Sequence, residues 1–362
     1  MKYLYLISHP AHFHMFKFSM RELERKGHQI IAVIRSKDVL EQLCIDSGLK
    51  FIKVKDRPKK FGIFGLIYSM INRDIEVFGI VTKQKPDLLI GSDGTLARVG
   101  RIKKIPSFEF SEDDARAIKL YAFISYTFFT NIISPKVVDA WLWEKKKIGY
   151  CGYQKLAYLH PKYFNPDIEI KKKYIVDDKY FLIRLSALDA YHDIGMKGFN
   201  ERIIDEIINL LEPHGRVYIS SEKPLLDKYK HNELKINPLH IHHILFFSTM
   251  FIGDSQSMTV ESALLGVPSF RLSSFVGKLS VLEELEYKYQ LTFGFKPEAV
   301  NEMIVKISEM INSSELNDFK NRRLTLLNDK IDVTAFFVWF IENYPESVKI
   351  MKENPDYQYK FK

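Results

Sequence analysis

"FIGDSQSMTVESALLGVPSFRL" (residues 251–272) runs from an apolar strand through a polar turn into a helix, and then into a second strand that reaches Arg271. Gly266 and Pro268 stop the helix, the usual way a helix hands over to a strand. Strand, turn, helix, strand is the repeating unit of a sheet whose neighbouring strands are joined by crossover helices. The turn itself is over-supplied with polar groups. After Gly253 come Asp254, Ser255, Gln256 and Ser257, and Glu261 follows four residues after Ser257 on the same helix face. Two readings stand. Asp254 or Ser255 caps the helix while Glu261 complements its dipole, or the free N–H groups and the dipole seat an anion such as a diphosphate. On the second reading Glu261 accepts hydrogen bonds from both ribose hydroxyls, and Arg271 adds positive charge at the same rim.

The same unit recurs on both sides of this stretch. "KYLYLIS" (2–8), "QIIAVIR" (29–35), "LKFIKV" (49–54), "DLLIGS" (87–92) and "PSFEF" (106–110) read as strands with helical patterns between them. "YFLIRL" (180–185), "GRVYISS" (215–221), "MFIG" (250–253) and "PSFRL" (268–272) restart the alternation, with helices near 198–212, 239–247, 256–265 and 297–312. The expected fold class is α/β: two Rossmann-like, doubly wound parallel-sheet domains facing across a cleft. The expected division is 1–165, a linker at 166–178 within the Pro- and charge-rich stretch 158–179, a second domain at 179–331, and a terminal helix packing across both at 332–362.

Composition bounds the function. With 46% hydrophobic and 27% charged residues in 362, the chain is a globular protein long enough for two cores. Cys44 and Cys151 are its only cysteines and fit neither a disulfide framework nor a zinc site. No cleavage signal follows the first strand and no apolar run reaches the ~20 residues of a membrane span. The expected location is the cytoplasm, with peripheral contact at the inner face of the membrane. A net charge of +8, gathered in clusters such as 53–60, 98–104, 145–147 and 171–173, points to anionic partners: a phosphorylated substrate or an anionic membrane. No nucleic-acid motif or continuous basic helix is present, so nucleic acid is not expected. The aromatic and basic segments 61–68 and 120–129 are either core or contacts for a lipid-linked acceptor.

In such sheets ligands bind beyond the carboxyl ends of the strands, so the remaining turns are the places where chemistry is expected. "SHPAHFH" (8–14) places His9, His12 and His14 in the first of them. No carboxylate or Cys completes a metal set, and His12 is the candidate general base. Asp93 ends one strand and Glu109 lies in the next, followed by Glu112, Asp113 and Asp114; the run fits acid–base work or a helix N-terminus equally. In the second half Arg184, His192, Asp193, Lys197, Ser220, Ser221, Glu222 and Lys278 follow strands. His240, His242 and His243 read as helix-surface residues.

The pieces "SHPAHFHMFK" (8–17), "HDIGMKG" (192–198), "YISSE" (218–222) and "GDSQSMTVESALLGVP" (253–268) together resemble the family catalogued as domain of unknown function 354, over nearly the whole chain. That family is similar to the non-hydrolysing UDP-N-acetylglucosamine 2-epimerases and to the glycosyltransferase that makes lipid II, so the resemblance implies a GT-B architecture. In the epimerases the matching turn is an aspartate, a serine and two glycines followed by a helix glutamate. Asp254, Ser255 and Glu261 match it, while Gln256 and Ser257 replace the glycines. Asp93, Glu109 and His192 stand where epimerases use carboxylates and a histidine, without the Glu-Ala-Gly-Leu-Arg and Gly-His-Arg contexts of those enzymes.

The expected function is a glycosyltransferase using a nucleotide-diphosphate sugar, a UDP-sugar first, for cell-surface glycan or polysaccharide biosynthesis. Its diphosphate would sit at 254–257, with Arg271, Lys278 and Arg184 on the leaving group and His12 or Asp93 deprotonating a glycan or lipid-linked acceptor. Helix-start electrostatics stand in for a metal, so no cofactor is expected. The alternatives are an epimerase using Asp93, Glu109 and His192, and a nucleotide-sugar-binding protein without turnover.

Overall fold

The computed structural model describes residues 1–35, 39–55, 63–186 and 199–362. The chain divides into two compact units, Met1–Tyr158 with Lys330–Lys362, and Leu159–Asp329. The second unit is therefore an insertion within the first. The terminal stretch 332–362 belongs to unit 1, and residues 166–178, read from the sequence as a linker, contain a helix of unit 2.

Unit 1 begins with β1 (Lys2–Ile7), α1 (Pro10–Arg25), β2 (Gln29–Arg35), α2 (Leu40–Asp46) and β3 (Phe51–Val54). It continues through α3 (Ile63–Gln84), β4 (Leu88–Gly91), α4 (Gly94–Lys103), β5 (Ser107–Phe110), α5 (Lys119–Ser125), β6 (Asn131–Pro135) and β7 (Lys147–Tyr150). The strands form one parallel sheet in the order β3-β2-β1-β4-β5-β6-β7. Tyr3 to Ile7 of β1 are buried without a break, as expected of a strand covered on both faces.

A short helix, α6 (Leu156–Leu159), lies at the junction. Unit 2 then runs through α7 (Ile168–Tyr174), β8 (Tyr180–Leu185), α8 (Glu201–Leu211), β9 (Arg216–Ser221), α9 (Ile241–Phe247), β10 (Met250–Gly253) and α10 (Gln256–Leu265). It closes with β11 (Ser269–Leu272), α11 (Ser280–Glu283), β12 (Thr292–Phe295), α12 (Val300–Asn312) and α13 (Phe319–Asp329). Its parallel sheet has the order β12-β11-β10-β8-β9. α10 is buried from Met258 to Leu265 and ends at Gly266, whose φ of 76° is left-handed, a conformation that costs glycine little.

The chain returns to unit 1 as α14 (Val333–Glu342) and α15 (Glu346–Glu353). Asp332 caps α14 by accepting from the Ala335 N–H at 2.9 Å. Phe337 packs edge-on against Phe110 at 4.8 Å and Tyr150 at 5.3 Å, and Phe340 lies 5.4 Å from Phe108. Aromatic side chains of this size each bury on the order of 150–250 Å², so this segment is part of the unit 1 core.

Both sheets reverse direction beside their first strand, between β1 and β4 and between β8 and β10. These are the switch points at which open α/β sheets leave a crevice for ligands. Cys44 and Cys151 are both free thiols, and among the described residues no helix is long and apolar enough to cross a membrane.

Candidate functional site

In unit 2 the candidates converge on the β8/β10 switch point. Gly253 and Arg184 pair across β10 and β8. A Cβ on Gly253 would stand 2.9 Å from the Arg184 carbonyl oxygen and 2.9 Å from the Phe251 ring, so only glycine lets the strands close here. Asp254, buried, accepts the Ser186 N–H at 2.8 Å and ties the two strand ends together. Burial raises its carboxyl above the usual aspartate range, against the pull of that bond.

The helix start follows. Ser255 is the N-cap of α10, its hydroxyl accepting from the Met258 N–H at 3.4 Å, and the Thr259 N–H is taken by the Ser255 carbonyl at 3.1 Å. Among the described residues no acceptor meets the N–H groups of Gln256 and Ser257, both half-buried. Two donors of the first turn are thus presented where the helix dipole is positive.

Arg271, with none of its surface exposed, reaches the same turn through Gln256. Its Nη1 donates to Gln256 Oε1 at 2.6 Å, and Gln256 in turn donates to the Ser273 hydroxyl at 2.7 Å. Nη2 is 3.9 Å from Glu283, and neither Nε nor Nη2 has a hydrogen-bond partner among the described residues. Burial lowers the guanidinium's pKa, and nearby Glu286 and Glu283 hold it up. Isolating such a charge from water costs several kcal/mol, which the neighbouring Glu283 and Glu286 offset in part. The sequence placed Arg271 at an open rim; the structure buries it behind Gln256, the residue that replaces an epimerase glycine.

Glu261 is buried one turn further, 3.2 Å from His242 Nε2. The expectation that His242 lies on a helix surface is corrected, because α9 turns this histidine inward while His240 and His243 stay half-buried. Arg184 gathers the β9 residues: it donates to Ser220 Oγ at 2.7 Å and to Glu222 at 2.6 Å. Ser221 instead accepts the Lys223 N–H at 3.2 Å. Lys278 is exposed in the loop after β11. His192, with Asp193 and Lys197, lies outside the described residues.

In unit 1, His12 and Asp93 flank the β1/β4 switch point. The stretch 8–14 is not one loop. Pro10 begins α1 and His9 caps it, accepting the Ala11 N–H at 3.1 Å, so His12 stands in the first helical turn, its Nδ1 3.4 Å from the Ser8 hydroxyl. Pro at the first helical position is the sequence signal for this start. Asp93 caps α4 through the Thr95 N–H at 2.9 Å and lies 4.0 Å from Arg73. Burial works against its charge, but Arg73 and Thr95 outweigh it and hold the carboxyl below its ordinary range.

Glu109, opposite Gly91 on the neighbouring strand, behaves in the opposite way. It is buried, and burial drives its carboxyl well above the ordinary range although the Tyr121 hydroxyl donates to it at 3.0 and 3.2 Å. Asp93 and Glu109 are therefore pushed in opposite directions, one carboxyl lowered and one raised, the kind of split that acid–base chemistry uses. The acidic run beside them does not open a helix, since α5 begins only at Lys119. Glu112 pairs with Lys155 and Asp114 accepts the Asp139 N–H at 2.7 Å, which fastens the loop after β5. Among the described residues no group of three or more His, Cys, Asp or Glu side chains gathers to hold a metal.

None of Arg73, Tyr121, His242 and Gln256 is legible in the sequence in its observed role. Arg73 meets Thr95 across 22 residues and Tyr121 meets Glu109 across 12, and His242 reaches Glu261 from a separate helix. No local spacing reveals such pairs.

Two doubly wound parallel sheets, each with polar groups at its switch point, define an α/β protein of GT-B fold. Solved structures share it. MnaA of S. aureus, in a co-structure with UDP, superposes with a TM-score of 0.67 at 12% identity, covering 96% of this chain and 97% of that one. The UDP-GlcNAc 2-epimerase of Methanocaldococcus jannaschii in complex with UDP-GlcNAc and UDP gives 0.63 at 14% identity, over 87% and 94%. The glycotransferase of kitacinnamycin gives 0.60 at 11% identity, over 94% and 98%. No curated protein matches the sequence. The family described as "Protein of unknown function (DUF354)" matches residues 3–339, and the chain belongs to it.

Proposed function

We propose that this protein is a glycosyltransferase that takes a nucleotide-diphosphate sugar, a UDP-sugar first, and delivers the sugar to a glycan or lipid-linked acceptor of a cell-surface polymer. The observation that carries this reading is the start of α10, where the N–H groups of Gln256 and Ser257 meet no acceptor among the described residues and the wholly buried Arg271 donates to the Gln256 side chain. Backbone donors, helix dipole and a fixed cation together favour a diphosphate and stabilise it as a leaving group. Glu261, steadied by His242, receives the ribose hydroxyls. Lys278 and Arg184 add charge at the same strand ends, and this set supplies the electrostatics without a metal. His12 is the better acceptor base, since an imidazole titrates near neutral pH, whereas Arg73 makes Asp93 a weak one.

A second reading, an epimerase that eliminates and re-adds the nucleotide, is favoured by the opposite shifts of the neighbouring Asp93 and Glu109 carboxyls, one lowered and one raised. A binding protein without turnover is the third. Incubating the pure protein with UDP-N-acetylglucosamine in heavy water separates them. Slow UDP release with no deuterium at C2 supports the transferase; deuterium at C2 replaces it with the epimerase; binding with neither leaves the binding protein. For the seat itself, Glu261→Ala is expected to weaken UDP binding by calorimetry at least about tenfold, since each hydrogen bond to a charged group is worth roughly 1.5–3 kcal/mol. Unchanged affinity would remove the ribose assignment.

A further inference from the structure

We propose that the face of unit 1 covered by α3, α4 and α5 docks on an anionic lipid surface. α4 packs between α3 and α5, and apolar side chains crowd the outside of this layer. α5 presents Leu120, Phe123 and Ile124 at one-turn spacing, between 42% and 53% exposed, and Phe128 follows in the next turn. α3 presents Ile67, Ile71 and Ile75 at four-residue steps. Of the 21 most exposed large apolar side chains among the described residues, nine lie on α3, α4, α5 and the turn that follows α5. A scatter over the surface would be ordinary; a concentration on one face marks an interaction site.

The chemistry around the patch selects the occupant. Phe123 is held edge-on by Trp141 at 5.4 Å and Trp143 at 5.3 Å, so the aromatic floor is fixed. The Arg116 guanidinium lies 5.4 Å and the Lys119 ammonium 5.9 Å from the Trp141 ring centre, at the edge of that floor. Residues 116–147 carry six Lys or Arg against two carboxylates; Lys146 and Lys147 donate to backbone carbonyls and Arg116 pairs with Asp139 at 2.6 Å, which leaves Lys119, Lys136 and Lys145 exposed for the rim. An apolar helix face with aromatic anchors and a cationic rim is the pattern of a segment lying in a membrane interface, its lysines reaching up to anionic headgroups. A second copy fits less well. A two-fold contact would set this same basic rim against itself, and like charges oppose such a contact. The surface is independent of which nucleotide-sugar reaction the protein performs.

Sedimentation of the full chain with vesicles tests the proposal, comparing phosphatidylcholine alone with equal parts phosphatidylcholine and phosphatidylglycerol. The wild type is expected to sediment with the anionic vesicles, less so as salt is raised. Phe123→Ser with Ile124→Ser, and separately Lys119→Glu with Lys145→Glu, should each lower partitioning about tenfold or more. All four side chains are exposed, so each variant should stay folded by circular dichroism, the ring contacts of Phe123 with Trp141 and Trp143 being the one packing loss. The proposal is overturned if the wild type ignores anionic vesicles, or if both double variants bind them as the wild type does. It is also overturned if the wild type dimerises in solution and Phe123→Ser with Ile124→Ser makes it monomeric, which would assign the face to a second copy.

Discussion

Glu109 shows how much of a site is decided by surroundings rather than by residue type. Its carboxyl is raised by burial, so the folded state binds its proton more tightly than the unfolded chain does. The stability tied to that proton is fully present below the ordinary glutamate value of ~4.3. It erodes as pH climbs above that value and is gone once pH passes the raised folded value. Glu109→Gln keeps a neutral side chain of the same shape, so its melting temperature is expected to fall less than that of the wild type as pH rises above the ordinary glutamate value. Parallel falls would show that Glu109 is already ionised. At this scale the sequence names candidates but not their states. Asp93, Glu109 and Glu261 are each found at a strand end or on a helix, yet their roles depend on Arg73, Tyr121 and His242, which no spacing links to them.

At the scale of elements, the β10–α10–β11 segment is where local sequence and fold agree best. Its strand, cap, helix and stop all lie within the predicted positions, because capping and termination are short-range effects. The close approach of β8 to Gly253 is not short-range, and it gives a prediction. Gly253→Ala pushes a methyl within 2.9 Å of the Arg184 carbonyl. We expect a loss of about 1–3 kcal/mol in denaturant unfolding, with UDP affinity falling as well because Asp254 and Ser255 move with the strand end. Unchanged stability would mean that the strands can part without cost. Strands β6, β7 and β12 escape a sequence reading. "NIISP" is hidden in an apolar run that starts as α5, "KIGY" begins at the last of three lysines, and "TFGF" carries a glycine that weakens strand propensity. Each is placed by pairing with a neighbour, a tertiary effect.

Across the whole molecule, the two-sheet α/β organisation is legible from the repeated pattern, but the division of the chain is not. Proline and charge mark 158–179 as a break in the sequence, whereas only contacts made far away show that 330–362 belongs with the first 158 residues. The segment 159–329 is one continuous unit with its own sheet and buried core; expressed alone, it is expected to unfold cooperatively and to bind UDP. The segment 1–158 expressed alone lacks Phe336, Phe337 and Phe340, which pack against β5 and β7. It is expected to bind a hydrophobic dye and to aggregate on heating; a cooperative melt equal to that of the intact protein would show that the returning helices are dispensable.

The return of α14 to unit 1 also sets an order of events on the ribosome. Domains fold as they emerge, and unit 2 has its whole sequence in one run. Unit 1 must wait with the aromatic faces of β5 and β7 bare while the 171 residues from Leu159 to Asp329 are translated. Nascent chains stalled before α14 should therefore be held by chaperones at the first half of the protein, even when the second half is already native.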